Sequence, residues 1–116
     1  EAAEGFPAAR EAMRIYQAFL REGKSENDAL ALTLPHIIAV LTDTNLLHRG
    51  GPEGLRFAQQ KAKEVLALPE EKRMQALSQL DAEFIRRNLS PGGSADMLGL
   101  AVLMHALEET AQDMVK

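Results

Sequence analysis

Cysteine is missing from this 116-residue chain. That rules out a disulfide framework, a thiolate zinc site and a cysteine nucleophile, and fits a reducing, cytoplasmic setting. A surplus of basic charge is missing too: 17 acidic residues outnumber 13 basic ones for a formal net charge of -4. A general phosphate-backbone binder needs the opposite balance, so nucleic acid is not an expected partner. The longest nearly uncharged apolar stretch, Met97 to Leu107, is about half of the roughly 20 residues that a membrane-spanning helix needs. No signal peptide is visible, and no membrane association is expected. Period-two alternation and fixed-length repeats are also absent, which disfavours strands and a solenoid.

What remains is ordinary globular material, 46% apolar and 26% charged, with length for one core. The expected fold is all-α, a single compact bundle of about five helices over residues 1–116. Pro7 suits the first turn of a helix carrying Ala12, Ile15, Tyr16, Phe19 and Leu20, which Gly23 stops. Ser25 with Asp28 forms a capping-box-like start to an apolar run from Leu30 to Leu41, which Pro35 should kink or split. Gly50-Gly51 ends that run and Pro52 opens the next helix, with Leu55, Ala58, Ala62, Val65 and Leu66 at helical spacing. After Pro69 the period continues through Met74, Leu77, Leu80, Phe84 and Ile85. A turn-rich connection then leads into the last helix, apolar on nearly every side between Met97 and Leu107 and therefore expected at the centre. Four amphipathic helices only partly wrap such a helix. Leftover apolar surface should then drive self-association or meet a further segment.

Two polar constellations stand out. The first is Asp43-Thr44-Asn45-Leu46-Leu47-His48-Arg49-Gly50-Gly51, a polar tract inside an apolar helix. Buried polar groups must find partners, since an unpaired one costs roughly 1–3 kcal/mol. Helical spacing puts Asn45 with Arg49, Thr44 with His48, and His36 two turns before Asp43 on about the same face. Either these groups converge on a ligand, or the tract is a polar C-terminal turn in which His48 and Arg49 answer the helix dipole and Gly50 caps it. The second is Asn88-Leu89-Ser90-Pro91-Gly92-Gly93-Ser94-Ala95-Asp96. Glycines before a helix leave N–H groups free for a phosphate. The plainer reading makes Ser94 the helix cap and Asp96 a first-turn carboxylate favoured by the dipole. If phosphate binds, Asp96 beside it calls for a divalent cation, so Asp43 and Asp96 could share a Mg²⁺-triphosphate with Arg49 nearby. His105 reads as a core or interface histidine, and Met97, Met104 and Met114 as core filler. Arg86-Arg87 and Lys61-Ala62-Lys63 read as solvated charges with a slight chance of touching phosphate.

At these motifs the sequence resembles the triphosphoribosyl-dephospho-coenzyme A synthases of citrate lyase and malonate decarboxylase maturation. Gly5-Phe6-Pro7, Ser25 to Leu30, Asp43 to Gly51 and Asn88 to Leu98 carry the resemblance, in the family's order and spacing. The family's N-terminal segment, with its Lys-Pro-Gly and Gly-Ala-His stretches, has no counterpart here, and Glu1-Ala2-Ala3-Glu4 reads like the interior of a sequence. The chain is therefore expected to be the C-terminal portion of a larger enzyme, incomplete alone. The resemblance implies a transferase that joins ATP to 3'-dephospho-CoA with release of adenine. It implies catalytic roles for Asp43, His48 and Asp96, with Asp43 and Asp96 as metal or oxocarbenium carboxylates. Asn45, Arg49, Gly50, Gly51, Asn88, Ser90, Gly92, Gly93 and Ser94 would bind substrate. The alternative is a helical interaction module whose polar tracts are caps.

Overall fold

In the computed structural model, which describes the backbone of residues 2–115 and the side chains of residues 7–112, the chain forms five helices. They are α1 (Ala2–Arg21), α2 (Glu26–Ile38), α3 (Thr44–Leu66), α4 (Glu70–Arg86) and α5 (Gly92–Val115). No strand occurs among the described residues. The expectations placed on Glu1, on the side chains of Gly5 and Phe6, and on Met114 lie outside the described residues.

Local chemistry accounts for most boundaries. Ser25 is the N-cap of α2, its hydroxyl accepting from the Asp28 N–H at 3.1 Å, as the capping pattern predicts. Pro52 begins a new helical segment after Gly51, whose φ of 69° and ψ of -174° break α3 internally. Only glycine adopts that backbone geometry readily. Asn88, with φ 56°, closes α4: its N–H donates to the Ile85 carbonyl and the Leu89 N–H to the Phe84 carbonyl, the paired bonds of a Schellman ending.

Three expectations need correction. Helix α1 starts at Ala2, so Pro7 lies inside it instead of in its first turn. The apolar run after Ser25 does not continue to Gly50: α2 passes through Pro35, stops at Ile38, and a separate helix starts at Thr44. The physical reason is Asp43, whose side chain caps that new helix. Helix α5 is not the centre. Leu103 and Leu107 on it are 55% and 60% exposed, whereas α2 touches each of the other four helices. Of the positions on the helical period of α4, Leu80 and Phe84 are buried while Ile85 and Met74 are exposed.

The core is layered about α2. Ile38, Leu46, Ala58, Ala62, Val65, Leu80, Phe84 and Leu89 knit α2, α3 and α4, while Ala12, Met13, Ile37 and Ala101 knit α1, α2 and α5. Met97 and Met104 pack against the second cluster. His105 is half-buried between α1 and α5, edge-on to the Tyr16 ring with its Nδ1 3.0 Å from Gln17 Nε2. No helix among the described residues is long and apolar enough to cross a membrane.

Candidate functional site

The two polar constellations meet, and a single carboxylate joins them. Asp43 is 1% exposed. Its Oδ1 accepts from the backbone N–H groups of Asn45 (2.9 Å) and Leu46 (3.2 Å), which caps α3. The same oxygen accepts from the Gly93 N–H at 3.2 Å. Its Oδ2 accepts from the Ser94 N–H at 2.7 Å and from the Ser94 hydroxyl at 2.8 Å. Asp43 therefore serves the positive ends of two helices at once, 51 residues apart in sequence. Ser94 is fully buried beneath it.

Close approach makes this clasp possible. A Cβ on Gly93 would sit 3.0 Å from Asp43 Oδ1, and one on Gly92 would collide with the Asn45 side-chain amide. Beyond the clasp, Arg49 Nη1 donates to Asn88 Oδ1 at 3.2 Å, linking the far ends of the motifs. Leu89 is driven between them. Its Cδ2 lies where a Cβ on Gly50 would be 2.6 Å away and one on Gly54 would be 3.2 Å away. Gly50 thus receives a side chain from α4's exit loop, and Gly51 turns the helix.

Several readings of these residues change as a result. The tract from Asp43 is not an interruption inside an apolar helix: Asp43 caps a short helical segment that runs from Thr44 to the break at Gly51, so His48, Arg49 and Gly50 lie in its last turn, as the plainer reading had them. His36 lies on α2 and Asp43 after it, so helical spacing does not put them on one face. Ser94 is the third residue of α5, not its cap, and Asp96 is the fifth, past the first turn. The nest of N–H groups at Gly93 and Ser94 faces no phosphate, because the Asp43 carboxylate already fills it. Nor does Asp43 suit a Mg²⁺ ion. Five donors crowd its two oxygens, leaving a buried carboxylate with no lone pair to offer. Among the described residues no group of three or more histidine or acidic side chains gathers to hold a metal ion.

What faces solvent is a different subset. Asn45, His48, Arg49, Asn88 and Asp96 are exposed, and Ser90 is half-exposed. Near the clasp residues in sequence, they offer groups able to donate and accept hydrogen bonds, and the Arg49 guanidinium among them is bonded to Asn88. Sequence reasoning missed the plug made by Leu89 and the clasp itself. The available signal was Asp-Thr-Asn-Leu, a good N-cap followed by an apolar position.

Residues 1–114 match the family described as ATP:dephospho-CoA triphosphoribosyl transferase (CitG). The chain belongs to this transferase family. It is 42% identical over 110 residues to the 2-(5''-triphosphoribosyl)-3'-dephosphocoenzyme-A synthase of Klebsiella pneumoniae, a match covering 91% of this chain and 36% of that protein. A second synthase of the same name, from Pectobacterium atrosepticum, is 42% identical over 106 residues, covering 90% of this chain and 35% of the relative. The chain thus spans about a third of the length of the curated transferase relatives it matches. No solved structure matches it.

Proposed function

We propose that this chain supplies part of the substrate surface of a triphosphoribosyl-dephospho-CoA synthase. The reaction moves the triphosphoribosyl group of ATP to the 2'-hydroxyl of 3'-dephospho-CoA and releases adenine. The product serves as prosthetic-group precursor for the acyl carrier protein of citrate lyase or malonate decarboxylase. The observation that supports this reading is the Arg49–Asn88 pair, a bond across two distant motifs held in register by the buried Asp43 clasp.

The chemistry assigns roles to the exposed subset. The bond between the ribose C1' and adenine breaks with its electron pair leaving on the base, which gains a proton. The dephospho-CoA hydroxyl then bonds to C1' and loses its proton. Positive charge on the ribose is stabilised by a nearby carboxylate, for which Asp96 is the open candidate. His48 moves a proton or touches phosphate in this reading. Arg49 is the phosphate anchor, with Asn45, Asn88 and Ser90 as hydrogen-bonding partners. Gly50, Gly51, Gly92, Gly93 and Ser94 shape this surface from beneath. Magnesium remains in the proposal only as the counter-ion that ATP carries. A single domain, a cytoplasmic setting and association with the rest of the enzyme complete the reading.

A second reading, a helical interaction module, is favoured by the exposed Leu103 and Leu107 on α5. One assay separates the two: adenine release from ATP, magnesium and 3'-dephospho-CoA, by the chain alone and with the remaining part of the Klebsiella relative added as a separate polypeptide. Release in either mixture supports the transferase. No release from a mixture that is folded and associated supports the interaction module.

A further inference from the structure

A groove of about 430 Å³ runs between α3 and α4. Its floor is apolar, with Val65 and Leu80 buried and Phe57 half-buried. Its rim alternates in charge. The Arg87 guanidinium carbon lies 3.9 Å from the centre of the Phe57 ring, and Lys61 Nζ lies 5.8 Å from it. Each cation has a carboxylate beside it, Glu83 at 2.8 Å from Arg87 and Glu64 at 3.5 Å from Lys61. Gln79 completes the rim.

This charge pattern selects a ligand class. A triphosphate would meet Glu64 and Glu83 along with the two cations, so the groove offers it little net attraction. An amide group, by contrast, presents one acceptor and one donor. A flexible chain carrying amides at intervals would lay its methylenes on the Phe57–Val65–Leu80 floor. Its carbonyls would accept from Lys61 or Arg87, and its N–H groups would donate to Glu64, Glu83 or Gln79. The volume lies within the usual range for small-molecule sites.

The groove adjoins the candidate site through one peptide bond. Arg87, which lines it, is followed directly by Asn88, the partner of Arg49, and by the Leu89 plug. A ligand with a charged end at Arg49 and a long uncharged amide-bearing arm would span both. We infer that this groove holds the pantetheine arm of dephospho-CoA, the arm made of methylenes, two amides and a terminal thiol. The inference rests on the transferase reading above.

The test is a methyl-labelled NMR titration of this chain with pantetheine, 3'-dephospho-CoA and ATP in separate experiments, repeated on Gln79→Trp. Gln79 is exposed, so the indole fills the groove from its rim without entering the core. Shifts of the Val65 and Leu80 methyls with pantetheine and dephospho-CoA, weakened tenfold or more in Gln79→Trp while ATP binding is unchanged, are expected. Dephospho-CoA that moves only resonances around Arg49 and Asn88, with pantetheine leaving Val65 and Leu80 unmoved, overturns the groove and leaves the transferase reading standing. Pantetheine moving the groove methyls while neither ATP nor dephospho-CoA binds at Arg49 supports an arm-binding groove but sinks the transferase reading. No shift with any of the three overturns both for this chain.

Discussion

Asp43→Asn tests the clasp with minimal change of shape. Asparagine caps a helix about as well as aspartate, so the start of α3 should survive. The tie to α5 should not. The amide has one oxygen for the five donors that the carboxylate serves. If that oxygen stays on the Oδ1 side, the new NH₂ faces the Ser94 N–H, which is held at 2.7 Å in the wild type. The Ser94 hydroxyl can rotate to accept, but the backbone N–H cannot. One buried N–H without an acceptor costs about 1–3 kcal/mol, and loss of charge assistance on the remaining bonds brings the total to about 2–4 kcal/mol. Asp43→Ala also removes the α3 cap, worth about 0.5–2 kcal/mol. It should cost about 3–6 kcal/mol, the sum of the two losses. At about 4 °C per kcal/mol for a chain of this size, Asp43→Asn lowers Tm by roughly 8–16 °C. Thermal unfolding followed by circular dichroism at 222 nm measures this directly. A Ser94→Ala partner completes a double-mutant cycle with an expected coupling of about 1 kcal/mol or more. A midpoint for Asp43→Asn within about 2 °C of wild type, or additive effects in the cycle, would refute the clasp.

Other perturbations probe different parts of the argument. Gly51→Ala places a Cβ on a backbone with φ 69° and ψ -174°; a loss of about 1–3 kcal/mol in urea unfolding is expected, although nothing lies near enough to clash. His36 is held below its usual pKa chiefly by burial and also by Arg73, with Glu11 opposing. Below about pH 6.5 the unfolded chain takes up a proton that the folded chain resists, so stability is full above that pH and falls as acid is added. His36→Gln should flatten the urea midpoint between about pH 5 and 7 relative to wild type. Arg49→Ala, at an exposed position, should leave Tm unchanged while weakening ATP binding by roughly 10-fold to 100-fold in isothermal titration, the scale of one charge-assisted contact.

Much of the fold was legible where the signal is local. Ser25 announced its helix because the cap and its N–H partner lie three residues apart, and Pro52 did so because a proline at the first helical position sacrifices no bond. Asp43 was harder. Read along the chain it sits in an apolar run, and its role depends on Gly93 and Ser94, which no periodicity brings near. The same limit hid the centre of the bundle. Both α2 and α5 are apolar on most sides, and pattern alone does not say which of two such helices is enclosed and which keeps Leu103 and Leu107 at the surface. At the candidate site, the motif residues were recognisable by type, but type does not separate carboxylates that face a ligand from one that holds the scaffold. That distinction turned on burial, 1% exposure at Asp43 against an exposed Asp96.

The sequence distance across the clasp also bears on how the protein folds. Each helix ending described above forms from neighbours within a few residues, whereas joining Asp43 to Ser94 closes a loop of 51 residues. Chain entropy opposes that closure until α3, α4 and α5 have docked. The clasp is therefore expected to form in the last, native-side step of folding. Weakening it should leave the refolding rate nearly unchanged and accelerate unfolding, so the carboxylate that joins the two motifs acts as a kinetic latch on their separation.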